Sequence, residues 1–253
     1  MIRRLAIASL ALLAIPLVAS AQPISGLYVG GEVGPNFAGS LLASGNETKI
    51  YTDPGILGLA DLGWGFGNGL RVEIEGSGRS NAVNRITTQR IDGRMLPLAG
   101  AGGSIDNFAL MTNLLYDLDL RRFGTALRPY VGVGFGYAWM DFAGVGGTGA
   151  GRFTLPHNNT FVRPDHASFG SVGGAFAYQA IVGVAYPIRL LPGLEATAEY
   201  RYFGTANITV PVQRVALGNF SFNGAVPSSR ILNSFSNQDQ SIMLGLRFRF
   251  DRP

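Results

Sequence analysis

The chain has 253 residues, of which 47% are hydrophobic and only 14% are charged, and its formal net charge is +4. Because a typical soluble domain carries about 25% charged residues, this composition excludes a disordered, highly charged chain and argues against an ordinary soluble globule. The absence of cysteine excludes disulfides, thiolate metal sites, a cysteine nucleophile and a lipoprotein anchor.

The sequence offers little for metal or nucleic-acid binding. Its two histidines, His157 and His166, are separated by a spacing that matches no common zinc motif. Lys49 is the single lysine, and no basic run alternates with aromatic residues as in a polynucleotide groove. We therefore expect no metal, no cofactor and no nucleic-acid partner.

The first 21 residues have the features of an export signal. Arg3 and Arg4 precede an apolar run over residues 5–18, and three small residues follow it. The run is shorter than the roughly 20 residues that a membrane-spanning helix needs, so we favour a cleaved signal peptide over a helical anchor. We predict a signal peptide over residues 1–21 and one domain over residues 22–253.

After the signal segment, apolar residues recur with a period of two, which is typical of β-strands with one apolar face. The first four such strands cover residues 27–33, 56–66, 70–75 and 108–118. Residues 67–69, Gly-Asn-Gly, predict a tight hairpin turn between the second and third strands.

Four more strands follow, at residues 130–139, 176–186, 194–202 and 241–250. In the first of these, bulky apolar residues alternate with glycine and alanine. No stretch of 18 consecutive apolar residues occurs here, so helical membrane spans are excluded. The sequence therefore predicts eight strands.

The charged residues of these strands all fall on the face opposite the apolar residues. There are eleven of them: Glu32, Asp61, Arg71, Glu73, Glu75, Asp117, Glu195, Glu199, Arg201, Arg247 and Arg249. A soluble barrel or sandwich would bury the apolar face and expose this charged one. A transmembrane barrel would enclose the charges as a polar network in its lumen.

Two features favour the transmembrane barrel. The strands are about ten residues long, enough for a tilted crossing of a bilayer, whereas soluble strands average about five or six. Aromatic side chains on the apolar face lie near strand ends, as in the girdles at the two membrane interfaces. These residues are Trp64, Phe66, Tyr116, Trp139, Tyr186, Tyr202 and Phe250.

The connections between strands alternate between short and long. Short turns are predicted near residues 67–69, 119–128 and 187–193, and long loops near 38–55, 79–107, 142–175 and 204–239. Short turns at one rim and long loops at the other are typical of outer-membrane barrels. We predict an all-β, eight-stranded, antiparallel, up-and-down transmembrane β-barrel with short periplasmic turns and four long extracellular loops.

The mature chain resembles the OmpA-like transmembrane barrels, particularly the alphaproteobacterial outer-membrane β-barrel and surface-antigen proteins. The resemblance is carried by GLYVGG at residues 26–31, GLRVEIE at 69–75, PYVGVG at 129–134, AYQ at 177–179, EYRYF at 199–203 and GLRFRF at 245–250. It implies location in the bacterial outer membrane and a terminal signal read by the barrel insertion machinery. Here Asp251, Arg252 and Pro253 follow the last aromatic residue, which departs from the family pattern. The resemblance also implies a barrel without a peptidoglycan-binding module.

A barrel of eight strands is nearly filled by its own side chains, so a wide channel is not expected. The enclosed carboxylates should pair with the arginines, and closure of the barrel should bring Arg247 or Arg249 near Glu32. We favour a structural polar plug over a narrow, weakly cation-preferring, porin-like pore. The leading hypothesis is a non-enzymatic outer-membrane protein that contributes to envelope structure and surface interaction.

Two alternatives stay open. The first is a barrel that hydrolyses or transfers acyl chains on lipid A, with His157 or His166 as the base and Asp165 and Ser168 nearby. The second is an adhesin or host-binding surface antigen, with its specificity in the long loops. The expected partners are outer-membrane lipid and lipopolysaccharide, and the insertion machinery during assembly. The sequence does not specify a partner of the loops.

Overall fold

The computed structural model describes residues 24–42, 48–89, 95–118, 125–154, 160–170, 174–188, 190–216 and 228–250. The predicted signal peptide and the three residues after Phe250 lie outside these ranges. Across the described ranges, no helix is long and apolar enough to cross a membrane.

The described ranges contain fourteen β-strands. In chain order they are β1 Ser25–Ala38, β2 Leu41–Leu42, β3 Lys49–Thr52, β4 Gly55–Phe66, β5 Leu70–Gln89, β6 Met95–Pro97, β7 Ala99–Asp117, β8 Arg128–Thr154, β9 Thr160–Phe169, β10 Gly174–Pro187, β11 Leu194–Thr205, β12 Ile208–Ala216, β13 Ser228–Phe235 and β14 Gln238–Arg249.

Eight of these strands form a closed antiparallel ring. The order is β1, β4, β5, β7, β8, β10, β11 and β14, and β14 pairs back with β1 through partners such as Val33 and Leu244. Within the ring each strand has two neighbours, so the backbone hydrogen bonds of the sheet are made internally. The predicted eight-stranded up-and-down barrel is confirmed.

One end of the barrel carries the short connections. At residues 67–69 the chain reverses between β4 and β5, with φ angles of 75° at Gly67 and 94° at Gly69, a conformation that glycine adopts without steric cost. The side chain of Asn68 accepts a hydrogen bond from the backbone N–H of Leu70 at 3.0 Å. This turn matches the predicted hairpin.

The other, external end differs from the prediction because the long connections contain further strands. β5, β7 and β8 have 20, 19 and 27 residues and extend well beyond the ring. β2, β3 and β6 pair on the β5 side, and β9, β12 and β13 continue the sheet from β8. The long connections as a whole, residues 38–55, 79–107, 142–175 and 204–239, are rich in glycine, asparagine and serine, so strands within them could not be recognised from alternation. The described parts of their backbones nevertheless form ladders.

The external extension encloses an apolar core of its own, here named the external cluster. Three rings lie at its centre: Phe142 is 6.1 Å from Phe169 and 5.8 Å from Phe235, measured between centroids. The cluster consists of Leu41, Ile50, Val83, Ile86, Leu98, Ile105, Met140, Phe142, Val145, Ala167, Phe169, Ala175, Ile208, Val210, Val212 and Phe235.

A bulge in β5 keeps this core apolar. Tyr51 pairs with Arg85 and Thr52 pairs with Val83, which leaves Asn84 as an extra residue. A bulge shifts the alternation of side chains by one position. As a result Ile86 is buried in the external cluster in place of Arg85, and Arg85 is exposed on the opposite face beside Tyr51.

Candidate functional site

The lumen of the ring is lined by polar and charged side chains in three layers. The layer nearest the short turns centres on Arg71. Its Nη1 donates to Glu73 Oε1 at 3.0 Å, and its Nε donates to Asp117 Oδ1 at 2.9 Å. The hydroxyl of Tyr28 donates to the same Glu73 oxygen at 2.8 Å. Such charge-assisted hydrogen bonds are about twice as strong as neutral ones.

Two tyrosine rings separate the arginines of this layer. The guanidinium of Arg71 lies 5.4 Å from the ring centroid of Tyr28 and 4.8 Å from that of Tyr130. The guanidinium of Arg247 lies 5.4 Å and 5.0 Å from the same two centroids. Each ring therefore attracts two cations through its π face. A Cβ on Gly183 would lie 2.4 Å from Tyr130, so the close approach of that ring requires glycine.

The layer ends at a carboxylate shared by three arginines. Glu195 is fully buried and lies 2.5 Å from Arg128, 3.4 Å from Arg249 and 3.7 Å from Arg247. This arrangement places positive charge in excess around one carboxylate.

The middle layer has the opposite arrangement, with one arginine among three carboxylates. Arg201 lies 2.5 Å from Glu75, 2.6 Å from Glu199 and 3.8 Å from Glu32. Neutral donors complete the shell: Asn113 and Gln179 donate to Glu75 Oε2, Tyr130 donates to Glu199, and Thr197 donates to Glu32. The ion pairs of this layer are therefore shielded from solvent and held by side chains from six strands of the ring.

The layer nearest the external cluster is mainly neutral. Asn36 donates to Asn81 at 2.7 Å and accepts from Ser241 at 2.7 Å. Arg79 lies 3.8 Å from Asp239, and its guanidinium covers the ring of Phe203 at 3.8 Å. Above this layer the interior becomes apolar.

The structure directs all eleven predicted lumen residues inward. Eight are buried, and the partly buried ones are Asp61, Asp117 and Arg249. Two details differ from the sequence-based interpretation. Glu32 approaches Arg201 and not Arg247 or Arg249, because Glu32 stands opposite Gly245 in the β1–β14 register. Asp61 forms no ion pair within the described residues and lies beside Gly30.

Three lumen charges were missed from the sequence: Arg79, Arg128 and Asp239. Each lies in a segment interpreted as a loop or connector. For Arg79 a signal was present, because Ser77, Arg79 and Asn81 continue the polar alternation that begins at Arg71. With these additions, eight carboxylates face six guanidiniums among the described lumen residues.

The outside of the ring is apolar between two rows of aromatic residues. Of the seven predicted girdle residues, six are exposed and Tyr202 is partly buried. Trp64, Phe66, Tyr116, Tyr186 and Phe250 lie toward the short turns, while Trp139 and Tyr202 lie toward the external end. From Phe108 to Tyr116 on β7, about eight residues separate the rows, or roughly 27 Å along the strand before tilt.

The residues considered for catalysis are not brought together in the described part of the chain. His157 lies outside the described residues. His166 is exposed on β9, Ser168 is two positions along the same strand, and the side chain of Asp165 is not described. Among the described residues, no group of three or more histidine, aspartate or glutamate side chains could hold a metal ion.

Comparisons with known proteins agree with this architecture. Residues 5–250 match the family model described as outer membrane protein beta-barrel domain. The chain is 31% identical over 267 aligned positions to a protein named outer membrane protein from Gluconacetobacter diazotrophicus, with 99% of this chain and 64% of that protein covered. It thus spans less than two thirds of the length of this relative.

Two solved outer-membrane proteins are among the structures to which the chain is similar. Neisserial surface protein A is 14% identical with a TM-score of 0.47, covering 89% of this chain and 98% of that one. OprG from Pseudomonas aeruginosa is 12% identical with a TM-score of 0.47, covering 89% and 97%. The family match and the closed ring together carry the assignment: the chain belongs to the outer-membrane β-barrel protein family and is located in the bacterial outer membrane.

Proposed function

We propose that this protein is a non-enzymatic, non-conducting barrel that contributes to envelope structure and presents its external sheet to partners. The observation that carries the proposal is the filled interior. Ion pairs around Arg71, Glu195 and Arg201 occupy the lumen across the membrane, and the external cluster occupies the interior beyond it.

To cross the barrel, a solute would have to displace both the ion pairs of the lumen and the apolar side chains of the external cluster. The polar layers are crossed by hydrogen bonds between strands that are far apart in sequence, such as Gln179 to Glu75 at 2.9 Å. A small void bounded by Arg79, Asn107 and Asp239 has a volume of about 10 Å³, which is room for about one water molecule. Hydrophobic constrictions such as the external cluster also block ions, because they exclude water.

The narrow-pore alternative is supported by the excess of carboxylates over guanidiniums in the lumen, which would favour cations. Conduction would require the external cluster to open. We consider this alternative secondary because its three phenylalanine rings are in mutual contact and buried.

Planar-bilayer recording of the refolded protein tests the proposal. We expect no discrete conductance steps at either polarity, because buried ion pairs fill the lumen layers and buried apolar side chains fill the external cluster. A heat-denatured sample of the same preparation controls for leakage caused by detergent. Reproducible steps of one size, absent from the denatured sample, would show a pore and contradict the proposal.

The external sheet also offers an outward-facing cationic site that supports surface interaction. Lys49 Nζ lies 4.8 Å and Arg85 Cζ lies 4.1 Å from the ring centroid of Tyr51. Ile50 and Ile86, on the same two strands, are buried in the external cluster, so the cations are turned outward. Two cations at one ring suit the phosphate and carboxylate groups of lipopolysaccharide, the partner we propose for this face. An adhesin role would use the same surface, and the described residues do not favour a receptor.

The lipid A enzyme hypothesis lacks support in the described geometry. A nucleophilic mechanism needs a base within hydrogen-bond reach of the nucleophile and a third group that orients the base. His166 and Ser168 lie on one strand with no described orienting side chain. The role we propose is therefore non-enzymatic.

A further inference from the structure

A groove crosses the outer surface of the barrel at the external aromatic row. It spans β4, β5, β7 and β8 and has a volume of about 470 Å³. Its floor includes Gly78, where a Cβ atom would meet nothing within 4 Å. The groove is therefore open toward the outer leaflet of the membrane.

One half of the groove is apolar and aromatic. Ile56, Phe108 and Trp139 line it and are exposed on the outer face. The rings of Phe108 and Trp139 are cross-strand partners with centroids 6.0 Å apart. Tyr137 meets Trp139 edge to face at 5.1 Å. Aromatic faces of this kind attract organic cations, and Trp is the most effective.

The other half of the groove carries two carboxylates. Asp106 and Asp141 stand directly opposite each other in the β7–β8 register, one step beyond the Phe108–Trp139 pair. Like charges in opposing positions destabilise a sheet. Ser80 and Ser104 donate hydrogen bonds to the two oxygens of Asp106.

None of the arginine and lysine side chains that the structure describes lies at ion-pair distance from either aspartate. Arg79 is next to Ser80 on β5, but its guanidinium is turned into the lumen, over Phe203. The external rim of this groove therefore carries negative charge without a matching cation from the described part of the chain.

We propose that the groove binds an outer-leaflet lipid whose headgroup carries an ammonium group. The ammonium would sit between Asp106 and Asp141 and against the face of Trp139, and the apolar part of the lipid would lie along Ile56 and Gly78. Carboxylates supply charge-assisted hydrogen bonds to such a group, and the indole supplies a cation–π contact. If this is correct, the protein binds a specific membrane lipid in addition to its proposed role in the envelope. The inference rests on the proposed function only in that the barrel must lie in the membrane.

A divalent cation is the competing occupant of the carboxylate pair. Mg²⁺ and Ca²⁺ need about six to eight oxygen ligands. Among the described residues no group of three acidic or histidine side chains is available to hold one. The aromatic lining, moreover, adds nothing to the binding of a hydrated divalent ion but adds to the binding of an organic ammonium. The observations therefore favour the ammonium.

Lipid titration followed by native mass spectrometry tests the proposal. The folded protein would be offered phosphatidylethanolamine, which has an ammonium group, or phosphatidylglycerol, which has none, each with EDTA or with Mg²⁺. We expect preferential retention of phosphatidylethanolamine in EDTA. We also expect the double variant Asp106→Asn and Asp141→Asn to lose about tenfold of that preference, since hydrogen bonds to charged groups are lost.

Two variants sharpen the result. Asp53→Asn removes another exposed external aspartate that lies outside the groove, and it should leave the preference unchanged. Trp139→Leu keeps both carboxylates and should weaken retention of phosphatidylethanolamine by about threefold. The side chains of Asp53, Trp139 and Asp141 are exposed and that of Asp106 is partly buried on the outer face, so each variant should fold. Electrophoretic mobility before and after boiling checks this.

Three outcomes would overturn the proposal: equal retention of the two lipids by the unchanged protein, a preference that survives in the double aspartate variant, or retention of phosphatidylglycerol that depends on Mg²⁺. The comparison of the two lipids on the unchanged protein decides the matter even if a variant fails to fold. The two proposals can fail separately. If the protein shows no conductance and also no preference for phosphatidylethanolamine, the lipid inference is wrong but the proposed envelope role stands.

Discussion

Replacement of Arg201 by methionine is expected to lower the free energy of unfolding by about 3–5 kcal/mol. Arg201 is buried in the middle layer of the lumen and lies within 4 Å of Glu32, Glu75 and Glu199. Without its guanidinium, three carboxylates would share an enclosed space with no other arginine in ion-pair contact among the described residues. Guanidinium-induced unfolding in lipid vesicles, followed by tryptophan fluorescence, measures the change.

Arg85→Met is the matched control for this variant. Arg85 carries the same side chain on the external sheet but is exposed and stacks on Tyr51. Its replacement should cost about 1 kcal/mol or less, since exposed cation–π contacts and ion pairs contribute little. Equal losses in the two variants would contradict the role assigned to the middle layer.

A second substitution separates the lost charge from lost packing. Adding Glu75→Gln to Arg201→Met removes one of the unpaired carboxylates while keeping the shape of the side chain. The double variant should therefore recover part of the stability, and the coupling between neighbours of this kind is typically 0.5–3 kcal/mol. Additive losses would mean that Arg201 acts through packing alone.

Replacement of Leu244 by arginine is expected to destabilise the folded protein by about 2–4 kcal/mol, because a charge near the midplane of the bilayer is costly on the lipid face of a barrel. Leu244 is 64% exposed on β14, and it faces away from the lumen between the two aromatic rows. Unfolding in lipid vesicles measures the loss.

Leu232→Arg provides a close match for this change. Leu232 is 66% exposed on β13, in the external sheet. If water surrounded both positions, arginine would cost nearly the same at Leu244 and at Leu232, because the two side chains are almost equally exposed. Beyond the membrane the cost should be close to zero, so similar losses at both positions would argue that Leu244 does not contact lipid.

The ring of eight strands could be predicted from sequence because a period-two pattern assigns every side chain to one of two faces. A shift of the strand by one residue would have moved Arg71, Glu73 and Glu75 to the outer surface. The positions of these charges therefore showed which face of each strand points into the lumen. The short turn at residues 67–69 was equally clear, because Gly-Asn-Gly between two alternating runs is typical of a tight β-hairpin turn.

The external strands and the exact ion pairs could not be predicted in the same way. The segments 79–107 and 142–175 are rich in glycine and polar residues, so their pairing depends on neighbours distant in sequence. The bulge at Asn84 also shifts the alternation within β5. The partner of Glu32 depends on the stagger between β1 and β14, which alternation within one strand does not specify.

Quenching of tryptophan fluorescence by brominated lipids tests most directly whether the apolar outer face of the barrel contacts the bilayer. Trp64 and Trp139 are the only tryptophans of the chain, and both lie on the outer face, one in each aromatic row. We expect lipids brominated near the headgroup to quench the fluorescence of the Trp64→Phe and Trp139→Phe variants more strongly than lipids brominated near the chain ends, because both indoles lie in the interfacial rows. Fluorescence that brominated lipids leave unchanged would mean that the apolar face is buried in protein and does not contact the bilayer, which a transmembrane barrel does not allow.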